Sequence, residues 1–129
     1  MYALQELRER FKKHIIERGL KSISTIRDKE KRNGAREGFQ LCFAIDKIED
    51  YEKTYNELRN KATEMVLESC DEETIKKYWR IVYKAEQVNF VYQRLKAFDV
   101  LFGLIDKTTV SATAMLDTVK VLNEILRVW

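Results

Sequence analysis

Apolar residues recur at steps of three and four along most of the chain, and strand-like alternation is hard to find. That spacing lays side chains along one face of an α-helix. In the first segment, Tyr2 to Arg18, residues Leu4, Leu7, Phe11 and Ile15 form one stripe. Gly19 reads as its stop, with Arg18 as a cation at the negative helix end. Leu20, Ile23 and Ile26 follow at intervals of three, and then Arg27 to Arg32 is wholly charged. Ser22 or Ser24 can cap a short helix there. Asn33-Gly34 is a turn signal, through which a helix continues only at a cost of about 1 kcal/mol for the glycine. Residues 19–36 therefore stand open between helix, hinge and disordered arm.

The pattern from 35 to 68 predicts one long helix. Leu41, Ile45, Ile48, Tyr55, Leu58, Ala62 and Met65 mark its face, with Glu52 at the remaining step. Ser69 to Glu73 reads as a boundary: Ser69 or Asp71 can cap, and the acids suit the positive end of the next helix. That helix, about 72 to 105, carries Ile75, Tyr78, Val82, Ala85, Val88, Tyr92, Leu95, Phe98 and Phe102, a stripe that drifts as in a left-handed coiled coil. A last helix over about 111–128 presents Met115, Val119, Leu122, Ile125 and Trp129. Short connections force antiparallel neighbours. The predicted fold is all-α: an elongated bundle built on a long antiparallel αα-hairpin (35–68 and 72–105) with shorter N- and C-terminal helices. Ile45 and Ile48 are expected to be buried opposite Tyr92, Leu95 or Phe98. The whole chain, 1–129, reads as one domain, comprising a basic helical region (1–33) free to act as an arm and the hairpin plus C-terminal helix (34–129).

The 72–105 segment has a second stripe: Trp79, Tyr83, Phe90, Ala97, Leu101 and Leu104. A helix apolar over most of its girth must be covered on most sides. Either the other helices of a monomer cover it, or a second chain does. Aromatic residues are favoured anchors at such contacts. Tyr78, Trp79, Tyr83, Phe90 and Leu101 are accordingly the candidate protein interface, and a homo-oligomer or a protein partner is expected.

Composition narrows the class. The 129 residues are 45% hydrophobic and 35% charged, with four Gly and no Pro, which excludes collagen-like and low-complexity chains. No apolar run approaches the ~18–20 residues that span a bilayer, so no membrane partner is expected. The first eight residues, Met1 to Arg8, have no apolar secretory core, and a cytoplasmic location follows as the default. Cys42 and Cys70 fit a reducing compartment, one as a buried thiol and one near a helix start.

The net charge of +3 hides segregation. Residues 1–36 hold eleven bases and five acids, residues 46–74 ten acids and four bases, and residues 75–107 seven bases and three acids. Such segments neutralise one another across an antiparallel bundle. The other reading is a polyanion site, with non-specific nucleic acid as partner and phosphate contacts from Arg8, Lys12, Arg27, Lys29, Lys31, Arg32 and Arg36. A sequence-reading helix-turn-helix centred on Gly19 fails, because Arg18, Thr25 and Asp28 fall where apolar residues are wanted.

Chemistry is sparse. His14 is the only histidine and sits on the flank of its helix. No Cys–His arrangement or Glu-x-x-His pair is present, and no cofactor or metal is expected. Asp46, Glu49, Asp50 and Glu57 gather acids on one helix face, a pattern that Glu/Lys-rich helices produce by chance. Gly34-Ala35-Arg36-Glu37-Gly38 is neither a phosphate loop nor a dinucleotide fingerprint; its small residues suit close approach by another helix. A non-enzymatic interaction protein is the expected function, with a nucleic-acid-associated accessory protein as the alternative. In composition the chain resembles the small, proline-free, Lys/Glu-rich helical proteins often encoded by phages and other mobile elements. That resemblance implies a stoichiometric role on a larger complex.

Overall fold

A computed structural model describes residues 4–105, together with positions 116 and 120. Four α-helices and no strand occur among the described residues: α1 (Leu4–Ser22), α2 (Lys29–Cys42), α3 (Ile48–Glu68) and α4 (Glu72–Leu101). The all-α bundle is as expected from the periodicity. Of the C-terminal helix expected over 111–128, only positions 116 and 120 are described, both as helix, and the rest lies outside the described residues.

Gly19 does not stop α1, which continues three residues further and passes into a 3-10 turn at Ile23–Thr25. Gly19 instead leaves room for the Phe39 ring, which a Cβ there would strike. The charged run resolves as a helix start. Asp28 caps α2 by accepting from the Lys31 amide at 2.9 Å. Residues 29–36 are thus helix, neither hinge nor arm.

The continuous helix expected over 35–68 is broken at residues 43–47. Neither Gly nor Pro marks this break. Its cause is competition for carbonyls. In a continuous helix the oxygens of Cys42, Phe43 and Ile45 accept from amides four residues on. Here the Tyr51 hydroxyl donates to Cys42 O at 3.0 Å, and Lys12 Nζ donates to Ile45 O at 2.8 Å and Phe43 O at 3.3 Å. Lys12 also sets a cation at the negative end of α2. The side chains of α1 and α3 thereby end α2 and turn the chain back.

That reversal changes the topology. The α3–α4 hairpin is antiparallel, joined by three residues, as the short connection predicts. However, α2 runs parallel to α4: Gly34 lies against Arg80, Gly38 against Lys84, and Phe39 against Phe90. Each consecutive pair of helices is antiparallel, and α4 is the common partner of the other three. Val88, Tyr92, Leu95 and Phe98 of the first stripe of α4 lie in the core. Part of the second stripe meets α2, and Arg8 and Phe11 of α1 lie against Asp99 and Phe98 near its C-terminal end.

The core joins Phe11, Ile15 and Ile16 of α1 to Ala35, Phe39 and Cys42 of α2, Tyr51 of α3, and Val88, Val91, Leu95 and Phe98 of α4. Each large apolar side chain so enclosed contributes about 1.5–3 kcal/mol. Phe11 and Phe98 stack with ring centroids 5.1 Å apart. Ile45 is buried within the α2–α3 connection, and Ile48 is half-buried against the same core. Both cysteines are free. Burial pushes the Cys42 thiol up to about 12, whereas Cys70 is exposed beside the hairpin connection. Among the described residues no helix is long and apolar enough to cross a membrane.

Candidate protein-interaction surface

One end of the bundle is built from the α3–α4 connection and the start of α2. Its geometry is fixed by a short polar network. The Asp71 carboxylate accepts from the Thr74 amide at 2.7 Å and from the Ser69 hydroxyl at 2.9 Å. The Asp71 amide donates back to Ser69 Oγ at 3.3 Å. The Thr74 amide above all holds the Asp71 carboxyl below the usual carboxylate range. Ser69 and Asp71, both foreseen as caps, act together here, and the tip is a defined shape.

Around this tip, apolar side chains face solvent. Leu67 is 81% exposed, Val66 and Ile75 are each 44% exposed, and Trp79 is 39% exposed. Single exposed apolar residues are ordinary; here several flank one hydrogen-bonded connection. The rim is acidic: Glu64, Glu68, Asp71, Glu72 and Glu73 occupy residues 64–73 without an intervening base.

Trp79 is held by its neighbours. Its ring meets Tyr78 edge-on at 5.3 Å and Tyr83 at 6.4 Å. The Lys31 ammonium lies 4.5 Å from the Trp79 ring centre and 5.7 Å from that of Tyr83. Arg80 pins α2 from the same turn. It donates to Glu37 from Nε at 3.1 Å and from Nη2, and it lies 3.8 Å from Glu30. The Arg80 hydrogen bond holds the Glu37 carboxyl low, against the opposing effect of burial.

The five expected interface residues therefore do not form one patch. Tyr78, Trp79 and Tyr83 are contiguous. Tyr83 is half-buried on the core, so its role is largely internal. Phe90 lies two turns away, edge-on to Phe39 at 6.0 Å and with the Arg94 guanidinium 3.5 Å above its ring. It borders a groove of about 400 Å³ between α1, α2 and α4, lined also by His14, Arg18 and Gln87. Leu101 is half-buried at the far end of α4. Val66, Leu67 and Ile75 were missed as surface residues because Ile75 belongs to the first stripe of the 72–105 segment and Val66-Leu67 follow Met65, the last member of the 35–68 stripe.

The expected cationic set is dispersed. Arg8 and Lys12 are buried, which removes them from any phosphate surface. Arg8 donates to both Asp99 oxygens, at 2.7 and 3.1 Å. Burial opposes the Arg8 charge, but the Asp99 bond and charge more than offset it and raise the guanidinium pKa. Arg32 donates to Ile26 O at 3.0 Å and Arg36 to Asn33 Oδ1 at 3.0 Å. Arg27 and Lys29 are exposed at the start of α2, on the same end as the apolar tip. Among the described residues no three His, Cys, Asp or Glu side chains group to hold a metal ion. No family model, no characterised protein and no solved structure matches this chain.

Proposed function

We propose that this chain is a non-enzymatic interaction protein that docks on protein surfaces through the α3–α4 end of its bundle. The observation that carries the reading is the exposure of Leu67, Val66, Ile75 and Trp79 around a connection held rigid by Ser69 and Asp71. Burying these side chains against a partner removes apolar area from water, and Trp79 is the type of residue that anchors such contacts. A preformed tip lowers the ordering cost of binding.

The nucleic-acid alternative is weaker on the same geometry. Arg8 and Lys12 are spent inside, Lys31 lies over Trp79, and the exposed bases Arg27 and Lys29 share their end of the bundle with five acids. Phosphate affinity grows with the number of cations engaged.

A photo-crosslinking amino acid at Leu67, in the producing cells, tests the reading. Discrete crosslinked products are expected at Leu67 and not with the same group at Gln40, an exposed position on α2. No products at Leu67, or equal products at both positions, would overturn it.

A further inference from the structure

We propose that a second copy of this chain docks on that end about a twofold axis, setting each copy's acidic 64–73 stretch against the other's basic 27–32 stretch. The proposal rests on the interaction reading above and names its occupant.

The two stretches lie at one end of the molecule because α2 runs parallel to α4, so that both helices begin there, and Lys31 reaches Trp79. They differ in sign. Residues 64–73 carry five acids and no base, whereas residues 27–32 carry Arg27, Lys29, Lys31 and Arg32 against Asp28 and Glu30. Those two acids are already engaged, Asp28 as the cap of α2 and Glu30 facing Arg80; Lys31 lies over Trp79 and Arg32 donates to Ile26 O, so Arg27 and Lys29 are the exposed bases of the stretch. On the acidic side, Glu72 faces Lys76 within its own helix. Among the described residues, the ion pairs at this end run within α4 or between α2 and α4, and none of them joins the 64–73 stretch to the 27–32 stretch.

A surface with unlike charges side by side is complementary to its own twofold image. An isologous interface requires that property, since the same patch serves both copies. Apolar side chains between the charges supply the desolvated centre, and the charges set the register. A uniformly charged partner meets repulsion from one of the two stretches. The tip is small, and contacts of that size are weak and reversible, so association in about the micromolar range is expected.

Sedimentation velocity over a wide concentration range, with charge-reversed variants, tests the proposal. One variant carries Glu64→Lys and Glu68→Lys; the other carries Arg27→Glu and Lys29→Glu. The first puts cations at the C-terminal end of α3 and the second acids at the start of α2, placements that helix dipoles favour, so both variants keep their helices by circular dichroism. Each variant alone is expected to dimerise at least about tenfold more weakly than the unmodified chain. Their equimolar mixture is expected to form a heterodimer tighter than either variant's own dimer, because one of its two contacts then joins an unmodified 64–73 stretch to an unmodified 27–32 stretch. Leu67→Glu, at a side chain four-fifths exposed, is expected to weaken the dimer as well. The proposal is overturned if the unmodified chain stays monomeric throughout, if the reversed variants dimerise as well as it does, or if mixing restores nothing. A monomeric chain that still crosslinks to another protein from Leu67 would overturn this proposal and leave the interaction reading standing.

Discussion

Gly34 of α2 packs directly on the main-chain carbonyl of Arg80 in α4, with no room for a Cβ between them. Four residues on, Gly38 meets Lys84 in the same way. The two glycines bring the helices to near backbone contact and fix their parallel register. Glycine costs about 1 kcal/mol in a helix interior, and here close packing offsets that cost. Gly34→Ala is therefore expected to destabilise by about 1–3 kcal/mol, opposite in sign to the propensity gain. Urea unfolding checks this, with Arg36→Ala on the exposed side of the same helix as a near-neutral comparison.

The buried Arg8–Asp99 pair links α1 to the end of α4 through two hydrogen bonds. Removing one partner strands the other charge in the core. Asp99→Leu or Arg8→Met alone is expected to cost about 3–5 kcal/mol, while the double variant recovers most of the loss. A double variant no better than either single one would show that α1 depends on the charge pair itself.

Glu37 and Arg80 join α2 to α4 on a partly exposed surface, and the Arg80 hydrogen bond holds the Glu37 carboxyl below its ordinary value of 4.5. A carboxylate whose folded pKa is depressed stabilises the protein above its unfolded pKa, and that stabilisation is lost as pH falls through the folded value. Glu37→Gln is thus expected to melt below the unmodified chain at neutral pH. The gap should narrow as pH falls below the ordinary value of 4.5. A gap that stays constant across that window would show that the Glu37 charge contributes nothing.

Much of this was legible in the sequence and some was not, for identifiable reasons. The stripes of α1 and α4 name core residues over their middle turns, Phe11 and Ile15 in one and Ala85 to Phe98 in the other, whereas Ile75 and Phe102 at the ends of the α4 stripe are exposed. The approach of α2 was legible in Gly34 and Gly38. The reading failed at 43–47, where no Gly or Pro marks the turn and the break comes from Lys12 and Tyr51, partners distant from those carbonyls in sequence or on another helix. Forcing one helix through that stretch placed Glu52 on the apolar face. Ile48, Tyr51, Tyr55, Leu58, Ala62 and Met65 step correctly on their own, and Tyr51 is fully buried. Charge was misread for a similar reason, since an inward Arg8 or Lys12 is indistinguishable in composition from a surface cation.

The most direct measurement of the central claim is sedimentation velocity of the unmodified chain beside Leu67→Glu, paired with thermal unfolding of both. Leu67 is the most exposed large apolar residue of the described tip, so its replacement should change stability by no more than about 0.5 kcal/mol. The account predicts concentration-dependent association of the unmodified chain that Leu67→Glu weakens at unchanged melting temperature. Equal association of the two proteins, or none by the unmodified chain, would contradict it.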